Sequence, residues 1–82
     1  MVMEIKVLGP GCLKCQQTEK VVKEAVAQAG AQAQVVKVTG MMEIAAFGVM
    51  MTPALVVDGQ VKLVGKVPSR QEVLDLLAKA GA

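Results

Sequence analysis

Histidine, tryptophan and tyrosine are absent from this chain of 82 residues, and Phe47 is its only aromatic side chain. A closed zinc site wants four ligands, usually Cys and His. With no His and only Cys12 and Cys15, a zinc centre within one molecule is disfavoured, and no metal is assigned. The scarcity of aromatics also removes the platforms on which single-stranded nucleic acid stacks. Nine Lys and Arg against seven Asp and Glu leave a net charge of +2, and the basic residues are scattered rather than gathered in a phosphate-tracking stripe. Nucleic acid is therefore not expected as a partner.

Long apolar runs are missing too. No stretch suffices to span a bilayer, and the N-terminal run is broken by Glu4 and Lys6 with no signal-peptide cleavage pattern after it. The expectation is a cytoplasmic, monomeric protein without membrane contact, in a compartment where thiols stay reduced unless they cycle. The length expects one domain over residues 1–82, and its 54% apolar content is almost wholly aliphatic.

What is present has clear periodicity. Met3 to Leu8 alternates apolar and charged residues and predicts a strand that ends at Gly9-Pro10-Gly11. From Cys12 to Ala29, the positions Leu13, Val21, Val22, Ala25, Val26 and Ala29 approximate a helical apolar stripe, which Gly30 terminates. Ala33 to Val38 predicts a second strand, parallel to the first because a helix connects them. Thr39 is the expected cap of a short helix from Met42 to about Phe47. Two further β-rich runs meet at Asp58-Gly59, a strong hairpin signal. Ser69 and Glu72 have capping-box spacing before a last helix with Val73, Leu74, Leu76 and Leu77 on its buried stripe. The class is α/β and the order β-α-β-α-β-β-α.

On this scaffold Cys12 opens a helix directly after a strand and Cys15 follows one turn later. Residues three apart on a helix bring their side chains within roughly 5–6 Å, which permits a disulfide. As a staple it would do little, since so short a loop restricts the unfolded chain by only about 2 kcal/mol against about 4.7 for a long one. The unpaired N–H groups and positive dipole end of a helix start stabilise a thiolate, so Cys12 is the natural nucleophile. Cys15, deeper in the helix, suits attack on a mixed disulfide. Lys14 between them either adds favourable charge or points into solvent. Two thiolates would also hold Cu(I), a soft ion.

Copper-chaperone domains resemble this chain in placing Cys-x-x-Cys after a first strand. They carry Met two residues before the first Cys, where Pro10 stands here, and lack a closing hairpin and helix. A Cu(I)-binding module is therefore the alternative reading. The six Met residues, at 1, 3, 41, 42, 50 and 51, are expected mostly to fill the core.

The second informative stretch is Met51-Thr52-Pro53-Ala54, before the run Leu55-Val56-Val57. Proline is tolerated where a strand begins. Only about 5–6% of X-Pro bonds in folded proteins are cis, so residue physics alone expects a trans bond.

Cys12-Leu13-Lys14-Cys15 after a first strand, paired with Thr52-Pro53 before a hairpin and final helix, resembles the thioredoxin superfamily. More closely, "GPGCLKCQQTEKVVKEAV" with "GVMMTPALVVDGQVKLVGKVPS" is similar to the small thioredoxin-like redox-active disulfide proteins of archaea and bacteria. The resemblance implies a thioredoxin-like fold with a four-stranded mixed sheet flanked by helices, and thiol–disulfide oxidoreductase activity. It implies Cys12 as the attacking and Cys15 as the resolving thiol, paired as a redox-active disulfide with no other cofactor. It also implies a cis Pro53 packed against the disulfide and Thr52 backbone bonds to a substrate peptide. Gly11, where thioredoxins have Trp, and Met51 join Thr52 and Pro53 as expected substrate contacts. The implied partners are disulfide-containing proteins and a thioredoxin-reductase-like electron donor. Met50 and Met51 are either an adaptable apolar surface in place of the missing aromatics or core. The strand carboxylate that assists proton transfer in thioredoxins has its counterpart near Lys6 and so no evident holder here.

Overall fold

The computed structural model describes residues 3–11 and 13–81. Four strands, β1 (Met3–Leu8), β2 (Ala33–Val38), β3 (Ala54–Val57) and β4 (Gln60–Val64), alternate with three helices, α1 (Leu13–Ala29), α2 (Met41–Ala46) and α3 (Arg70–Gly81). The sheet order is β2-β1-β3-β4, with β1 and β2 parallel and the pairs β1–β3 and β3–β4 antiparallel. This is the mixed sheet expected above.

Alternation in β1 sends Ile5 and Val7 to one face and Leu8 to the other. On the first face Ile5, Val7, Leu55 and Val57 meet Val22 and Ala25 of α1 and Val73 and Leu77 of α3. On the second, Leu8, Val38, Ala54 and Val56 are covered by Ile44 of α2 and by Val49. β3 is buried at all four positions because both layers close on it. Each such aliphatic side chain contributes about 1.5–3 kcal/mol by leaving water.

Local signals explain most element ends. Gly30 takes φ 64 after α1, and the Gly30 and Ala31 N–H groups donate to the Ala27 and Val26 carbonyls, which is a Schellman motif. Asp58 (φ 49) and Gly59 (φ 85) have the two left-handed residues of a type I′ turn. The Asp58 N–H donates to the Glu4 carbonyl and the Asp58 carboxylate accepts from the Glu4 N–H, so the turn also extends the β1–β3 ladder. Ser69 and Glu72 form the reciprocal capping box, the Glu72 N–H donating to Ser69 Oγ and the Ser69 N–H to Glu72 Oε1, each at 3.1 Å.

Three expectations are corrected. The cap of α2 is Gly40, not Thr39: Gly40 is extended, makes no side-chain cap bond, and its carbonyl accepts the Ile44 N–H, because the helix begins at Met41. The buried stripe of α1 is Cys15, Thr18, Val22 and Ala25, whereas Leu13 is 70% exposed and Ala29 is exposed. This rotation is possible because the Thr18 hydroxyl donates to the Lys14 carbonyl at 2.9 Å and so enters the core satisfied. The methionines do not mainly fill the core: Met3 packs against it, but Met41, Met42, Met50 and Met51 are all exposed. Met1 lies outside the described residues.

Candidate active site at one end of the sheet

The register defines where the two motifs meet. Leu8 pairs with Val38 on one side and Ala54 on the other, and Ala54 pairs with Val64. This row is the last at its end of the sheet. Beyond it the chain leaves β1 toward the cysteines, leaves β2 toward α2, enters β3 from Thr52-Pro53 and leaves β4 at Gly65. Residues some forty positions apart in sequence thus share one sheet end through ordinary strand pairing.

Cys15 sits in the first turn of α1 on the buried stripe, 2% exposed. Its sulfur lies directly against the backbone of Gly9: a methyl group at position 9 would overlap Cys15 Sγ and come within 3.0 Å of Cys15 Cβ. The same methyl would lie 3.9 Å from Thr52 Cβ, so Gly9 is where the end of β1, the second cysteine and the Thr52-Pro53 segment converge. Gly9 is buried, and its N–H donates to the Val38 carbonyl at 2.9 Å. Cys12, the expected nucleophile, lies outside the described residues.

The Thr52–Pro53 peptide bond is cis, the opposite of the trans bond that residue physics alone expects. Pro53 is fully buried and its carbonyl accepts the Gly65 N–H at 2.8 Å, which ties the segment to the end of β4. Thr52 is half-buried. Met51 lies over Gly65, where a methyl would meet Met51 Cε at 3.3 Å. Gly11 takes φ 94, a left-handed conformation that favours glycine, with no atom within 4 Å of where its side chain would project. Its carbonyl accepts from the Gln16 side-chain amide at 3.3 Å. Leu13 and Lys14 point outward and are exposed. Met50, at 96% exposure, lies on the surface rather than in the core.

At Lys6, in place of a carboxylate, the ammonium lies 5.2 Å from the centroid of the Phe47 ring and 3.3 Å from Glu4 Oε1. The one aromatic ring of the chain is thus used in a cation–π contact. Among the described residues no three His, Cys, Asp or Glu side chains come together to hold a metal ion. No helix among them is long and apolar enough to cross a membrane.

In the sequence Gly9 reads only as the end of a strand, and Thr18 carries no apolar signal. The available signal was spacing: Cys15, Thr18, Val22 and Ala25 follow a 3-4-3 pattern once Cys and Thr are admitted as core residues.

A family model described as a thioredoxin domain matches residues 3–78. The chain is 38% identical over 76 residues to a thioredoxin of Methanothermobacter thermautotrophicus, covering 93% of this chain and 99% of that protein. It is 42% identical over 73 residues to a thioredoxin of Methanocaldococcus jannaschii, covering 89% and 84% respectively. Among solved structures, the germline-specific thioredoxin Deadhead of Drosophila melanogaster matches with a TM-score of 0.71 at 15% identity, over 95% of this chain and 80% of that one. That likeness concerns the fold. A thioredoxin-like architecture and two close thioredoxin relatives place the chain in the thioredoxin family, whose general chemistry is thiol–disulfide oxidoreduction.

Proposed function

We propose that the protein reduces or exchanges disulfides of protein or small-molecule partners through a Cys12–Cys15 dithiol/disulfide couple, acting as a single domain in the cytoplasm. The observation that carries this reading is the seat of Cys15: a buried sulfur in the first turn of α1, packed against Gly9 where Thr52 also converges, at the end of the sheet that the Cys12 segment reaches in sequence.

Cys12 directly precedes α1, whose unpaired N–H groups and positive dipole end favour a thiolate. That thiolate attacks one sulfur of a substrate disulfide, forming a Cys12–substrate bond and releasing the other substrate sulfur as a thiolate. Deprotonated Cys15 then attacks the Cys12 sulfur, closes the internal disulfide and frees the second substrate sulfur. The two electrons gained by the substrate come from oxidation of the dithiol, and a flavin- or ferredoxin-linked reductase restores them. Gly11, Met51 and Thr52 form the surface on which the substrate segment rests; Pro53, expected from the resemblance to touch substrate, is fully buried and instead supports the Thr52 backbone from beneath.

The experiment is disulfide exchange with wild type, Cys12→Ser and Cys15→Ser. Cys15→Ser should accumulate a covalent protein–substrate adduct, Cys12→Ser should form none, and both should reduce no disulfide catalytically. Wild-type thiols that do not cycle with dithiol buffers, or an adduct on Cys12→Ser alone, would overturn the reading.

A further inference from the structure

We propose that Gly9 is a positioning residue for the second step of exchange, setting where the Cys15 sulfur can stand; this rests on the redox reading above. Glycine at this position is required by space, not by backbone shape. Unlike Gly11, Gly30, Gly48, Gly59 and Gly65, Gly9 is not among the residues of positive φ, so alanine can adopt its conformation. A methyl group there would occupy the volume of Cys15 Sγ.

Both sides of the contact are pinned. The end of β1 is held by the Gly9 N–H bond to the Val38 carbonyl and by pairing of the fully buried Leu8 with Ala54. The start of α1 is held by Thr18, Val22 and Ala25, none more than 1% exposed. Backbone retreat would break strand pairing or open the core, so the element that yields to an added methyl is the Cys15 side chain, which turns on a single torsion. In a helix one of its three staggered positions is already disfavoured by the preceding turn. The sulfur that performs the second attack is then held away from its wild-type seat. Misplacement of a reacting group by about 1 Å costs up to about 10²-fold in rate.

The chemistry affected is specific. In the first step Cys12 attacks the substrate disulfide, and Cys15 takes no part. In the second, the Cys15–Cys12 bond forms as the Cys12–substrate bond breaks, and the departing sulfur leaves as a thiolate. Gly9→Ala should slow the second step and leave the first unchanged.

Two measurements on the full chain decide the matter. Reduced protein mixed in a stopped-flow instrument with excess dithiobis(nitrobenzoate) releases one coloured thiolate when Cys12 attacks and a second when Cys15 closes the ring. In Gly9→Ala the second phase should slow by at least about tenfold with the first unchanged. The dithiol–disulfide equilibrium should move toward the dithiol by about tenfold, or about 30 mV for this two-electron couple. Thermal midpoints of wild type, Gly9→Ala, Cys15→Ala and the double variant form a cycle. Overpacking by Gly9→Ala should lower the midpoint by roughly 10 °C when Cys15 is present and by much less when its sulfur has been removed.

An unaltered second phase, equal slowing of both phases, or the same thermal penalty with and without the sulfur would overturn the proposal. A wild type that releases no coloured thiolate defeats the redox reading itself, while the thermal cycle, which needs no chemistry, still tests the Gly9–Cys15 contact.

Discussion

At the end of the sheet closed by the row Val38, Leu8, Ala54 and Val64, the connecting segments carry Leu13, Met41, Met42, Met50 and Met51 with their side chains in solvent. At the opposite end the chain turns through Asp58-Gly59, and the neighbouring groove of 310 Å³ between hairpin and α3 is lined by Asp58, Gln60, Lys62 and Lys79 over Val57 and Leu76. The turn end is polar, and its backbone shape is set within the two residues of the turn, which the reciprocal Asp58–Glu4 bonds then tie to β1. The cysteine end is apolar and held by contacts between distant segments: Gly9 with Cys15, Thr52 beside them, and Pro53 bonded to Gly65. Exposed thioethers are costly in water but adaptable against a partner, which fits a surface that meets substrates of varied shape.

Substitutions that act on one end and spare the other sharpen this contrast. The largest effect is expected from Gly59→Val, because Gly59 has φ 85 and a β-branched residue in the left-handed region costs about 2 kcal/mol. The urea midpoint should fall accordingly, while the rate of disulfide reduction well below that midpoint stays at the wild-type value. A loss of rate matching the loss of stability would show that the two ends are not separable.

A smaller effect, reversed in kind, is expected from Met50→Ser with Met51→Ser. Surface changes of this sort usually move stability by within about 0.5 kcal/mol. The KM for a protein disulfide should rise severalfold while that for a small disulfide does not change. Equal effects on both substrates would remove the methionines from the docking surface.

The smallest effect concerns the cap of α3. The Lys66 ammonium, bonded to Glu72 at 2.8 Å, and the Ser69 N–H together hold the Glu72 carboxyl below its ordinary value. The folded state therefore binds this proton less readily than the unfolded chain. Its contribution is full above the ordinary carboxyl range and is lost as pH falls through the lowered value. In Glu72→Gln the stability difference from wild type should be visible near neutral pH and shrink in acid. Urea midpoints measured at neutral and acidic pH check this; a difference independent of pH would exclude the charge as its origin.

The hairpin and the helix ends were legible because their signals are local: Asp58-Gly59, Gly30 and the Ser69–Glu72 box each dictate backbone geometry within a few residues. Where a local signal competed with a neighbour it misled, as at Thr39, displaced as cap by Gly40. The pattern of α1 was harder because hydrophobicity alone places Leu13 inside and Thr18 outside. The structure reverses both, since Thr18 is satisfied by the Lys14 carbonyl and the first turn of the helix faces the open end of the sheet. The exposure of the methionines is not legible for a related reason: their apolar character says nothing about which end of the sheet their segment reaches.

The sequence by itself determined the element order, the parallel first pair, the hairpin, the capped last helix, and the two motifs whose resemblance pointed to a thioredoxin-like protein. All of these rest on periodicity or on residues a few positions apart. Tertiary structure decided that Gly9, Cys15 and Thr52 share one point, that the Thr52–Pro53 bond is cis, and that Lys6 lies over Phe47. Those facts depend on strand register and on the packing of α1 against β1, which bring together residues whose own local preferences carry no record of one another.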